Sequence, residues 1–72
     1  MAKKYLVTEI QVFDGGTISN PTYAYDNEAS AIAKFHSICA AAAVSALPVH
    51  SALMFTADGE PIRWESFNHE VE

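Results

Sequence analysis

Residues 26–47 read DNEASAIAKFHSICAAAAVSAL, and this stretch decides the fold because no other carries an unambiguous helical period. Asp26 and Asn27 both suit an N-cap, since a short side-chain oxygen can accept from the free N–H groups of a first turn. Glu28 follows where the positive end of the helix dipole favours an anion. Pro48 disfavours helical geometry at Leu47, so the helix is expected to stop there or a residue or two earlier. At about 3.6 residues per turn, Ile32, Phe35, Cys39, Ala42, Ala43 and Ala46 line one stripe, which is expected to face the core.

The opposite face carries Ser30, Lys34, Ser37, Ala41 and Ser45, with Ala33, Ile38 and Ala40 at its edges. Lys34 is the one charge between Glu28 and Asp58. Small side chains let another backbone come close, so this face reads either as a contact surface or as a solvated Ala/Ser face chosen for helix propensity.

Beyond the helix, residues 49–57 (VHSALMFTA) and 60–67 (EPIRWESF) flank Asp58-Gly59, a strong signal for a two-residue hairpin. That turn would set Phe55 opposite Ile62, Met54 opposite Arg63 and Leu53 opposite Trp64, with successive pairs alternating faces. Ahead of the helix, residues 4–13 (KYLVTEIQVF) read as another strand. Leu6, Ile10 and Val12, with Leu53, Phe55, Ile62 and Trp64, form the expected core face. Tyr5, Val7, Phe13, Met54 and Arg63 then fall on the outer face. Asp14-Gly15-Gly16-Thr17 and Asn20-Pro21 are turn signals. Between them and the helix, residues 22–25 read either as a short extended piece, with a brief hairpin back onto the first strand, or as plain loop.

The expected fold is α+β: a single helix packed on one face of a three-stranded, mostly antiparallel sheet in β-α-β-β order. A right-handed crossover would make the first strand parallel to the strand after the helix, either beside it or across the last strand as a split β-α-β. Residues 1–72 form one small domain, with 1–3 and 68–72 expected as flexible ends. A chain of this length supplies little net stability and often needs a disulfide, a metal or oligomerisation. Cys39 is the sole cysteine, and no stretch has zinc-site spacing. That leaves oligomerisation, with a dimer expected and a host or phage protein as the other partner class.

Net charge is −5. Asp58, Glu60, Glu65, Glu70 and Glu72 gather after the helix against Arg63 alone, so they form a candidate acidic surface for a basic partner, or else a solvated tail. Direct nucleic-acid binding is disfavoured, because phosphate neutralisation needs clustered Lys or Arg. The opening MAKKYLVTEI lacks a signal peptide's apolar run, and no run reaches the length of a membrane span. The expected compartment is the cytoplasm.

Residues that could carry chemistry are sparse. His36 and Cys39 stand three apart on the helix, but a metal site or a catalytic pair needs further groups that nothing in the sequence places nearby. Asp14-Gly15-Gly16-Thr17 lacks the lysine and following helix of a phosphate loop. No catalytic residue, cofactor or metal is expected.

The order of features resembles small accessory proteins of bacteriophages and prophages, especially those of gut bacteria. The residues that carry the resemblance are an Asp-Gly turn after a short strand, Tyr25-Asp26 opening an alanine-rich helix with Phe35-His36-Ser37, and a strand–Asp-Gly–strand finish. It implies an accessory protein of a bacterial host cell or virion without a shared active site. The expected function is therefore non-enzymatic self-association through protein contacts, with Tyr5, Val7, Phe13, Lys34, Ser37, Ala41, Met54 and Arg63 as candidate interface. The alternatives are an acidic inhibitor of a basic host protein and a small-ligand binder using His36 at a subunit boundary.

Overall fold

The computed structural model describes residues 4–69. The elements run β1 (Tyr5–Val12), β2 (Ile18–Ser19), β3 (Thr22–Tyr25), α1 (Glu28–Ala43), β4 (Val49–Thr56) and β5 (Pro61–Asn68). The five strands form one antiparallel sheet with β1 and β4 central, β5 along one edge, and β2 and β3 end to end along the other. The class is α+β with one helix on the sheet, as the sequence indicates, but the sheet has five strands rather than three.

The extra strands come from the segment before the helix. Gly16 N–H donates to the Phe13 carbonyl at 3.0 Å, and Gly15 and Gly16 both hold φ of +92°. Glycine adopts that backbone freely, so the chain turns back along β1. β2 and β3 share one register, Val12 facing Ile18 and Thr8 facing Thr22. Between them the Pro21 carbonyl accepts from Glu9 N–H at 3.0 Å, but proline has no N–H to return. The edge strand is interrupted at that point, where an edge tolerates it.

This edge changes the topology. β1 pairs antiparallel with β4 along its whole length, Tyr5 facing Thr56 and Val12 facing Val49. The expected parallel relation of β1 to the post-helical strand is therefore wrong. α1 instead joins β3 to β4, which are parallel to each other with β1 between them.

The face covered by α1 is the opposite of the one expected. Val7, Ala52 and Met54 are buried beneath Ala31, Phe35 and Ile38, with Tyr5, Tyr25, Ile32, Cys39 and Ile62 packed around them. Leu6, Ile10, Val12, Leu53, Phe55 and Trp64, read as core, lie on the other side of the sheet. Both alternating sets are apolar, and the covered one also holds Glu9, Gln11, Arg63 and Glu65, which made it look like the solvent side. Two features reconcile this. Glu9 is paired with His50, and α1 packs mainly on β4 and β1 and only lightly on β5, beyond which Arg63 and Glu65 reach water.

Asn27 is the N-cap, its side-chain oxygen accepting from Ser30 N–H at 2.8 Å. The buried stripe is Ala31, Phe35, Ile38 and Ala42, rotated from the expected one. Ile38 moves into the core, and Ala43 and Ala46 are exposed. The helix ends at Ala43, short of Leu47. Ser45 Oγ accepts from Leu47 N–H at 3.1 Å, a local bond that competes with continuing the helix. His69, expected in a flexible end, donates Nε2–H to the Ala42 carbonyl at 2.7 Å. Asn68 likewise belongs to β5.

The β4–β5 hairpin keeps the expected pairs Met54–Arg63, Leu53–Trp64, Ala52–Glu65 and Ser51–Ser66. Its turn differs. Gly59 N–H donates to the Thr56 carbonyl and Thr56 N–H to the Glu60 carbonyl, both at 2.9 Å. Gly59 alone has positive φ (+88°). The loop therefore has three residues, a type I turn closed by a left-handed glycine. This offsets the pairing by one, so Phe55 faces Pro61, and a bulge between Met54 and Phe55 restores the expected register.

Candidate functional site

Among the described residues, nothing covers the side of the sheet away from α1. β1 gives it Leu6, Thr8, Ile10 and Val12, β4 gives Val49, Ser51, Leu53 and Phe55, and β5 gives Trp64, Ser66 and Asn68. The opposite edge adds Ile18, Thr22 and Ala24. Trp64 and Ile18 are 67% and 63% exposed. Polar groups on this face bond across strands: Thr8 Oγ1 to Thr22 Oγ1 at 2.9 Å and Ser51 Oγ to Ser66 Oγ at 3.0 Å. No strand residue on this face is charged, and the Lys4–Asp26 ion pair lies at the rim.

Several residues expected at an interface are placed elsewhere. Val7 and Met54 are fully buried under α1 and offer no surface. Tyr5 is half-buried against the same core. Lys34 holds its ammonium 4.1 Å from the Tyr23 ring centre, a cation–π contact on the helix side. Ser37 and Ala41 are exposed on the solvent face of α1, Phe13 is exposed beyond the end of β1, and Arg63 is exposed on β5. These residues do not converge on one patch. Sequence reading missed the true apolar surface because it had assigned the same residues to the core.

A second feature is an open groove of about 500 Å³ between α1 and β5, lined by Phe35, His36, Cys39, Ile62, Glu65 and Phe67, among others. His36 is exposed, its ring edge-on to Phe35 with centroids 5.8 Å apart. Burial first, and the Glu65 carboxylate second, push the Cys39 thiol above its ordinary value. That is the reverse of what activates a thiolate nucleophile or ligand. Among the described residues, no three His, Cys, Asp or Glu side chains gather to hold a metal.

The third is a pair that the sequence did not bring together. His50 Nε2 lies 2.6 Å from Glu9 Oε2 beneath the helix, with the His50 side chain 5% exposed. His50 Nδ1 is buried with no protein partner. The Glu9 side chain is 17% exposed. No described helix is long and apolar enough to cross a membrane.

The described members of the acidic set are split. Asp58 and Glu60 stand at the hairpin tip, while Glu65 lies along β5 beside Arg63. Glu70 and Glu72 lie outside the described residues. No family model, curated protein or solved structure matches the chain.

Proposed function

We propose that this chain is a non-enzymatic protein that works by protein–protein contact, and first by self-association through the open face of its sheet. The observation that carries this reading is the uncharged, largely apolar character of that face on a chain of net charge −5. Two copies repel through most of their surface, and a face without charge is where they can meet without like-charge cost.

Size is consistent with this. Strands of eight residues rising about 3.3 Å each, four positions wide at about 4.8 Å, present a face of roughly 500 Å². Two such faces together reach the order of 1,000 Å² that a specific interface needs. Sheets stacked face to face pack about 10 Å apart with interdigitated side chains, and Leu6, Ile10, Leu53 and Phe55 supply them. The raised thiol of Cys39 and the burial of His50 support a non-catalytic reading. The resemblance to phage accessory proteins supplies the setting, a bacterial cytoplasm or a virion part.

Light scattering over a dilution series tests the reading, with wild type beside Leu53→Asp and Phe55→Asp. The expected result is an assembly larger than one chain for wild type and a lower mass for both variants, with circular dichroism unchanged. A wild type that is monomeric throughout, or variants of unaltered mass, would overturn it and turn attention to a foreign partner.

A further inference from the structure

Among the described residues no strand pairs with the outer edge of β5, and the layer above it is incomplete. β5 runs from Pro61 to Asn68, with proline only at its first position. An edge strand presents a row of N–H and C=O groups along its outer side that can bond another strand. The groove between α1 and β5 leaves Ile62 and Phe67 partly uncovered at that side, above the buried Phe35. Trp64, the sole tryptophan, stands 67% exposed on the other side of the same strand.

We propose that this edge is a second self-association surface, at which β5 pairs antiparallel with β5 of another copy about a two-fold axis. The proposal shares with the preceding reading the idea that copies associate, but its surface is separate. A two-fold between antiparallel edge strands stands perpendicular to the sheet. Each residue therefore pairs only with residues on its own face, and both helices fall on the same side.

Charge then selects among the central registers. Centring the axis on Arg63 sets two arginines directly opposite, and centring it on Glu65 sets two glutamates opposite. Both are unfavourable, since like charges facing each other across a strand pair destabilise it. Centring it on Trp64 sets Arg63 opposite the partner's Glu65, twice over by symmetry. The two Trp64 rings then meet at the axis, where aromatic side chains pack in offset or edge-to-face pairs. On the helix side, the two grooves become one space between two helices, and Ile62 and Phe67 of both copies fill it. The light coverage of β5 by α1 follows, because the missing cover comes from the second copy.

Charge reversal in the Leu53→Asp background, where the open-face contact is disabled, tests the register. The expected mass is two chains for Leu53→Asp alone. Adding Arg63→Glu should raise the dissociation constant at least tenfold, and adding Glu65→Arg as well should restore it. Both side chains are exposed, and recovery in the full set keeps a folding loss from imitating the result. A single chain for Leu53→Asp alone overturns the edge contact while leaving the open-face reading standing. Insensitivity to Arg63→Glu, or failure of Glu65→Arg to restore pairing, also overturns it. If Leu53→Asp leaves the wild-type mass unchanged but the reversals behave as expected, the edge stands and the open face falls.

Discussion

Cys39 sits half-buried between α1 and β5, and its thiol is held up first by desolvation and second by the Glu65 carboxylate. A raised thiol value means less thiolate at any given pH, so alkylation should be slow. The rate–pH profile with iodoacetamide should inflect above the value of about 8.5 for a free cysteine. Glu65→Gln removes the smaller cause, so the inflection should fall part of the way and no further. By linkage, the shift costs stability only as pH climbs past the unfolded thiol's value and on through the folded one. An inflection at or below that of a free thiol would contradict the assignment and reopen a reactive role for Cys39. At this scale, the sequence already showed that Cys39 and His36 lacked companions. It could not show Glu9 beside His50, because their meeting depends on β1 pairing antiparallel with β4, where Gln11 faces His50 and Glu9 faces Ala52.

Among the elements, what was legible was set by local chemistry. Asn27 as a cap, Asp58-Gly59 as a turn and the pairs from Met54–Arg63 onward each depend on a few adjacent residues. The covered face of the sheet was not legible. Crossovers between parallel strands are right-handed in nearly all proteins, so the side on which a helix lies depends on which strands are parallel. With residues 22–25 open between strand and loop, that relation could not be drawn. The hairpin gives a test at this scale. An added Cβ at Gly59 meets no atom within 4 Å, so Gly59→Ala would be free of steric cost. The φ of +88° is nevertheless one that side chains rarely adopt. The substitution should therefore destabilise by about 1–3 kcal/mol through the backbone alone, read as a lower urea midpoint with unchanged slope. A neutral result would mean that the loop relaxes to another turn, and the compensating bulge at Met54/Phe55 would then be lost.

For the whole molecule, the question is where a chain this small finds its stability. Its buried apolar side chains include three alanines, Ala31, Ala42 and Ala52, and Met54 and Val7 are the largest that are fully buried. Domains of this size are marginal alone, and association supplies burial that a single copy lacks. Anything that binds only the folded state raises apparent stability by mass action. The melting temperature should therefore rise with protein concentration. For a dimer, a tenfold increase adds RT ln 10 per assembly, about 0.7 kcal/mol per chain, or about 3–6 °C at this length. Leu53→Asp should flatten the dependence that comes from the open face. Adding Arg63→Glu to Leu53→Asp should remove whatever remains, because like charges then face each other across the edge pair. Differential scanning calorimetry of wild type and both variants at several concentrations separates the two contributions. A melting temperature independent of concentration, in a range where scattering shows one chain, would mean that the single-helix core is sufficient. The open face would then have no stabilising role, and its exposure would have to be explained by a partner other than this chain.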